Sequence, residues 1–307
     1  MEQVALVIGE SLVDVVHDRD GSSAERPGGS AANVAVALSR LERPVWFATS
    51  YADDRLGAVV SRHLRDAGIE LATDPHVVDR TSVAEARIGP DGAATYEFDV
   101  DWRLAETLTV PDDVTVTAVH VCSFSAVLPP GADGVLSVVQ EWRDRASISY
   151  DVNVRPDLTG TGAHVVSRVE QLVALADVVK ASDEDVAALY PGEPEAAVVT
   201  RWLATGPAVV IVTRGADGAT AFAGRGSVDV AAVDRGLVDT IGAGDTFSAA
   251  IIDALWERGL LGAESRDRLR SLDLDVWRAV LGHAAAAAAV TVSRPGADPP
   301  RRGELSS

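Results

Sequence analysis

Short apolar runs that end at a glycine or a polar residue, each followed by a helical pattern, recur along most of this chain. That rhythm restricts the fold more than any other feature. "VALVIG" (Val4–Gly9) reads as a buried strand. "SAANVAVALSRL" follows "PGG" with helical spacing, placing Val34, Ala37, Leu38 and Leu41 on one face. "VWFATS" is another strand, and "RLGAVVSRHLRDAG" a helix ending at Gly68. The alternation resumes with "AVHVCSF", "ADGVLSVVQEWRDR", "SISYDVN", "DVVKAS" and "AVVIVTRG", and ends in "TFSAAIIDALWERG" and "DVWRAVLGHAAAAAAVTV". Repeated strand–helix units predict an α/β fold: a mainly parallel sheet covered by helices on both faces, one domain over residues 1–307.

Two segments break the rhythm. "TSVAEARIGPDGAATYEFDVDW" alternates around a "GPDG" turn at Gly89–Gly92 and predicts a hairpin of half-exposed strands. Residues of about 80–103, with a strand at about 12–19 around Asp14, predict a small β lid on the body. "ATAFAG" and "SVDVAAV" form a second small β segment, and the tail "ADPPRRGELSS" is expected to fray.

Composition removes several classes. The formal net charge is −19, which disfavours a nucleic-acid partner because the backbone needs clustered Lys and Arg. Apolar residues make up 47% and charged residues 24%, as in soluble globules. Cys122 is the single cysteine, so no internal disulfide forms and a cytoplasmic location is expected. Met1–Gly9 lacks a basic start, so no signal peptide is read. "HAAAAAAVTV" is too short to span a membrane. Lys180 is the only lysine among the basic residues.

"VDTIGAGDTFSAA" (Val238–Ala250) carries the chemistry. Two glycines stand where a helix begins, although glycine weakens a helix by roughly 1 kcal/mol relative to alanine. Amides of a first helical turn lack partners and carry partial positive charge, so they form an anion site. Gly242, Ala243 and Gly244 therefore read as a cradle for a transferring phosphate. Asp245 would repel that phosphate unless it accepts the proton of an attacking hydroxyl. The same residues also read as an ordinary glycine-rich turn with an acid favourable to the helix dipole. Phe247, Ile251 and Leu255 recur at helical spacing and should face the sheet.

"VDTIGAGDTFSAA" and "PGGSAANVAVALSRL" (Pro27–Leu41) resemble the C-terminal and N-terminal signatures of the PfkB, or ribokinase-like, carbohydrate kinases. They occur in that order, and the resemblance covers essentially the whole chain. It implies a ribokinase-like three-layer α/β/α sandwich with a β-sheet lid. "GESLVDVV", "DWRL", "DVNVRPDL" and "SRPGADPP" resemble the fructokinase subgroup. The implied activity is ATP-dependent phosphorylation of a primary sugar hydroxyl, fructose giving fructose 6-phosphate, with Mg²⁺ and a candidate K⁺ as ions. Another acceptor (ribose, 2-keto-3-deoxygluconate or a nucleoside) is the alternative within the family, and a catalytically silent sugar- or nucleotide-binding protein is the alternative outside it.

The resemblance implies roles residue by residue. Asp245 is the base, with Gly242, Ala243 and Gly244 as the anion hole. Asp14, Gly28, Gly29, Asn33, Asn153 and Arg155 are substrate-side candidates, and Phe98 and Trp102 would contact the sugar from the lid. Asn33 also reads as a capping residue, Arg155 as a surface ion-pair partner, and the two aromatics as packing within the lid. Thr213, Gly215 and Gly218 fall on the nucleotide side, although "GADG" alone is a turn signal. Lys180 is a phosphate-side candidate, and His283 an adenine-side candidate that also reads as a packing residue. Asp239, Thr240, Ser293 and Gly296 resemble a monovalent-cation site. One departure stands out. The family commonly has Asn-x-x-Glu near Mg²⁺, where this chain has "KASDED", so Ser182 and Asp185, with Glu184 beside them, are the metal candidates. Related kinases also pair through the lid, so a homodimer is a candidate assembly.

Overall fold

The computed structural model describes residues 1–17, 23–88 and 94–305. Thirteen strands are described: β1 (Glu2–Ile8), β2 (Leu12–His17), β3 (Ser23–Gly28), β4 (Val45–Ala48), β5 (Glu70–Leu71), β6 (Val83–Ile88), β7 (Ala94–Asp99), β8 (Val114–Cys122), β9 (Ser147–Asp151), β10 (Val178–Ser182), β11 (Val209–Thr213), β12 (Ala219–Ala223) and β13 (Gly226–Val230). Nine of them form one sheet in the order β13-β12-β11-β10-β9-β8-β1-β4-β5. β11 through β5 in that order pair in parallel, while β12 and β13 add an antiparallel edge hairpin. The "ATAFAG" segment thus widens the main sheet instead of standing apart from it.

The central strands follow the expected chemistry of a sheet covered on both faces. Ala5, Leu6, Val7 and Ile8 of β1, and Val209, Val210, Ile211 and Val212 of β11, are all fully buried. On one face, the helix Ser30–Arg40 buries Val34, Ala37 and Leu38, with Leu41 just beyond it. The helix Ala243–Glu257 buries Phe247, Ile251 and Leu255 with Val209, Ile211 and Ala221 of the sheet. The alanine-rich helix Leu274–Val292 packs along it, its small side chains letting the two backbones approach. The other face is covered by helices that include Gly131–Trp142 and Ala163–Leu175, through Val135, Val139, Val169 and Leu172.

The segments expected to form the lid make a second, four-stranded sheet in the order β3-β2-β6-β7. Its "GPDG" turn and residues 18–19 of the expected first segment lie outside the described residues. β3 has no counterpart in the sequence reading. "SAERPG" shows no apolar alternation, and Pro27, which cannot donate to a ladder, sits in β3 at the sheet edge where proline is tolerated.

Candidate active site

The parallel strands end on one side of the sheet, where ligand crevices of open α/β folds lie. Glu10 follows β1, Asp151 closes β9, Lys180 and Ser182 lie at the end of β10, and Thr213 closes β11. The start of the helix Ala243–Glu257 joins them. Gly242 is its N-cap with φ 75°, a left-handed conformation, and a Cβ there would stand 2.6 Å from the Ala297 Cβ. The Ala243 N–H closes a turn onto the Thr240 carbonyl over 3.3 Å. Gly244 and Asp245 are the next first-turn residues, whose amides have no acceptor within the helix. A Cβ on Gly244 would project to 3.4 Å from Lys180 Nζ, so the glycine keeps open the space between the cradle and the ammonium.

Asp245 is buried and held at both oxygens. Ser30 Oγ donates to Oδ1 over 2.5 Å, and Asn33 Nδ2 donates to Oδ2 over 2.8 Å. Burial pushes its carboxyl above the ordinary carboxylate range; the Ser30 and Asn33 bonds pull it back, Asp151 adds to the rise and Lys180 opposes it. Lys180 Nζ donates to Asp151 Oδ2 over 2.7 Å, and Ser248 Oγ donates to the same oxygen over 2.9 Å. Burial works against the Lys180 charge, but Asp151 outweighs it and holds the ammonium above its usual value.

In the small sheet, Asp14 of β2 pairs with Arg26 of β3, and its carboxylate reaches diagonally to Gly28. A Cβ on Gly28 would fall 2.1 Å from Asp14 Oδ2, so only glycine leaves room for this carboxylate. The Asp14 carboxyl is raised to about 6 by burial and by the charge of Asp245, with Arg155 and Arg26 working against the rise. Gly29 packs on the Glu10 carbonyl, where a Cβ would stand 2.7 Å away. Asn153 adopts φ 37° and donates through Nδ2 to Ser30 Oγ over 2.9 Å. Arg155 is exposed and reaches Asp14 by charge; its own guanidinium donates to the Val154 carbonyl over 3.2 Å. Phe98 is half-buried on β7 opposite Ala84.

A cavity of about 550 Å³ opens beside the cradle. Thr213, Gly215 and Gly218 line it, with Thr240, Ala243, Gly244 and Phe247. Its far walls are the loop 232–237 and the Ala285, Ala288, Ala289 and Val292 side of the helix Leu274–Val292. The sequence reading missed both walls, although the run "HAAAAAAV" signals a flat surface of small side chains.

Three expectations need correction. His283 does not line the cavity: its Nε2 lies 2.8 Å from Asp253 Oδ2, in a partly buried cluster that Arg43 and Arg302 complete around the buried Asp253. Trp102 is not a lid residue facing a sugar. It is 3% exposed, its indole N–H donates to the Ser125 carbonyl over 3.0 Å, and its ring lies against Gly131, where a Cβ would stand 2.2 Å from Nε1. Ser182 and Asp185 form a capping box on the helix Asp183–Leu189. Asp185 Oδ2 accepts from the Ser182 amide at 2.7 Å and Oδ1 from the Val154 amide at 2.8 Å, so both oxygens serve the backbone.

These donors do not make a protein cage for a divalent cation. Among the described residues no group of three His, Cys, Asp or Glu is placed to hold a metal. Glu184 is an exposed carboxylate of the same helical turn. The set fits Mg²⁺ only as an ion carried on nucleotide phosphates and water, the mode that ion commonly adopts. Of the cation-site candidates, Asp239 and Gly296 meet: Asp239 Oδ2 accepts from the Gly296 amide at 2.7 Å, and Oδ1 from Ile241 at 3.0 Å. Thr240 turns to the cavity, and Ser293 Oγ donates to the Val290 carbonyl over 2.7 Å.

A crevice at the strand ends, an amide cradle, a buried carboxylate beside it and an adjoining cavity are the parts of a phosphoryl-transfer enzyme. The profile of the pfkB family of carbohydrate kinases matches residues 3–302, and the chain belongs to that family. It is 30% identical over 282 residues to a fructokinase of Rhizobium leguminosarum bv. trifolii, covering 89% of this chain and 85% of the relative. It is 27% identical over 268 residues to the aminoimidazole riboside kinase of Salmonella typhimurium, covering 83% of each. The fold matches a fructokinase of Xylella fastidiosa solved with bound ATP, with TM-score 0.84, 24% identity, and coverage of 99% of this chain and 97% of the other.

Proposed function

We propose that this chain is an ATP-dependent sugar kinase that phosphorylates a primary hydroxyl, with fructose as the acceptor and fructose 6-phosphate as the product. The observation that carries the reading is the placement of Asp245. It is buried, fixed at both oxygens, and one residue beyond the Ala243–Gly244 backbone that lines the cavity. The cavity supports the ATP part of this reading, since it joins an apolar alanine wall to the amide cradle at Ala243 and Gly244.

As the acceptor oxygen bonds to the γ-phosphorus, its proton passes to Asp245 and the bond to the ADP oxygen breaks. The amides of the first helical turn and the Lys180 ammonium hold the negative charge in place. Mg²⁺ on the nucleotide would neutralise phosphate charge. Asp14 can accept two hydroxyl hydrogen bonds from a polyol, and Asn33, Asn153 and Arg155 surround the same space. A monovalent cation such as K⁺ enters this reading only through the family resemblance of Asp239, Thr240, Ser293 and Gly296. No helix among the described residues is long and apolar enough to cross a membrane. A cytoplasmic enzyme is in keeping with the single, buried Cys122, and pairing of two copies through the lid with its open edges at β3 and β7.

A specific feature favours testing acidic acceptors too. Arg26 and Arg155 both act on Asp14, so the acceptor side holds two cations. The test is ATP consumption with Mg²⁺ against fructose, ribose, 2-keto-3-deoxygluconate and aminoimidazole riboside, beside Asp245→Asn. Turnover dependent on fructose and lost in the variant supports the proposal. Turnover on another acceptor reassigns the substrate, and none on any acceptor overturns the kinase reading.

A further inference from the structure

Ser30 is where polar groups of three other segments meet. It opens the helix Ser30–Arg40 and is buried. Its amide donates to Glu10 Oε1 over 3.0 Å, its hydroxyl donates to Asp245 Oδ1, and Asn153 Nδ2 donates to its Oγ. Chemistry fixes these directions. An ionised carboxylate only accepts, so the hydroxyl proton points at Asp245 and Oγ is left to accept from the Asn153 amide. The hydroxyl is not needed by its own helix. Gly29 is the N-cap, the helix has no side-chain cap bond, and alanine would suit the helix better.

We propose that Ser30 is a positioning residue for the base: its hydroxyl, oriented by Asn153 and anchored through its amide to Glu10, fixes the rotation of the Asp245 carboxylate that receives the acceptor proton. This rests on the kinase reading above. Two further observations support it. Asn153 holds a positive-φ backbone while making its bond, a conformation that persists only where the surroundings enforce it. The Ser30 bond also opposes the effect of burial on Asp245.

The test compares wild type, Ser30→Ala and Ser30→Thr by fructose-dependent turnover and by ¹³C NMR titration of labelled aspartates. The Asp245 signal is identified by its loss in Asp245→Asn. The other charged or titratable groups acting on or facing Asp245 are Glu10, Asp14, Asp151, Lys180 and Cys122, and all are kept in each variant. Ser30→Ala should lower kcat about 10- to 100-fold with KM for ATP unchanged, as for loss of one bond to a charged group. It should also move the Asp245 titration to higher pH, and Ser30→Thr should restore both. An unchanged titration with unchanged kcat overturns the proposal. If Ser30→Ala does not fold, Ser30→Cys, of similar size with a weak donor, carries the same two readouts. Wild type that phosphorylates no acceptor fails the kinase reading, whereas the titration reports the hold on Asp245 without turnover.

Discussion

Lys180 Nζ and Asp151 Oδ2 form a 2.7 Å ion pair inside the sheet, and both side chains are almost wholly buried. Removing one partner would strand the other charge, a loss of about 3–5 kcal/mol for buried pairs. Lys180→Met should therefore lower the thermal midpoint strongly. Combining it with Asp151→Leu should recover much of the stability without recovering turnover. Recovery of both would reduce Lys180 to a structural role.

Asp245 is costly to the fold in its charged form. Its folded-state carboxyl is raised, so the folded chain holds that proton more tightly than the unfolded one. Stability from this group is present below the unfolded carboxylate range and is lost as pH rises through the folded value. Asp245→Asn should thus be as stable as wild type or more so at pH 8, while kcat falls by about 10²–10⁴ for loss of a general base. Thermal scans beside initial rates check both halves, and a destabilised variant would count against the burial argument.

Glu10 gives a pH window. Burial raises it to about 7 from an ordinary 4.5, and its Oε2 has no hydrogen-bond partner among the described residues. Between those values the folded state binds more protons, so stability falls as pH rises across the window. Asp14, raised to about 6, acts with the same sign. Glu10→Gln should remove part of the fall, making its stability relative to wild type increase from pH 5 to pH 8. A parallel pH dependence in the two proteins would refute this.

Gly242 sets the entry of the helix that carries the base. Gly242→Ala meets both a left-handed backbone and the Ala297 Cβ. The backbone alone should cost roughly 1–2 kcal/mol. The displaced cradle should raise KM for ATP, measured with the acceptor saturating. A variant with wild-type KM and midpoint would show that the turn has another way to form.

How much of this was legible in the residues depended on whether a side chain's role was written locally. β1 and β11 are continuous apolar runs and the helix at Phe247, Ile251 and Leu255 is periodic, and all three lie where the pattern puts them. The glycines and Asp245 were readable because a helix start has its own chemistry. Ser30 was not, since its partners lie 215 and 123 residues away in sequence. His283 and Trp102 take the packing alternative, which the sequence could not select because Asp253 and Ser125, which accept from their ring N–H groups, lie 30 and 23 residues away. Asp185 reads as a ligand only through the resemblance, and Ser-x-x-Asp before an apolar run is also a capping signal.

The contact between Ser30 and Asp245 spans 215 residues, which has a bearing on synthesis. A nascent chain on the ribosome displays the first signature long before its counterpart emerges. Arg302, further along the chain still, donates to Asp253 within the helix that bears Asp245. A chain that stops short of residue 245 therefore carries the first signature without the carboxylate that Ser30 orients.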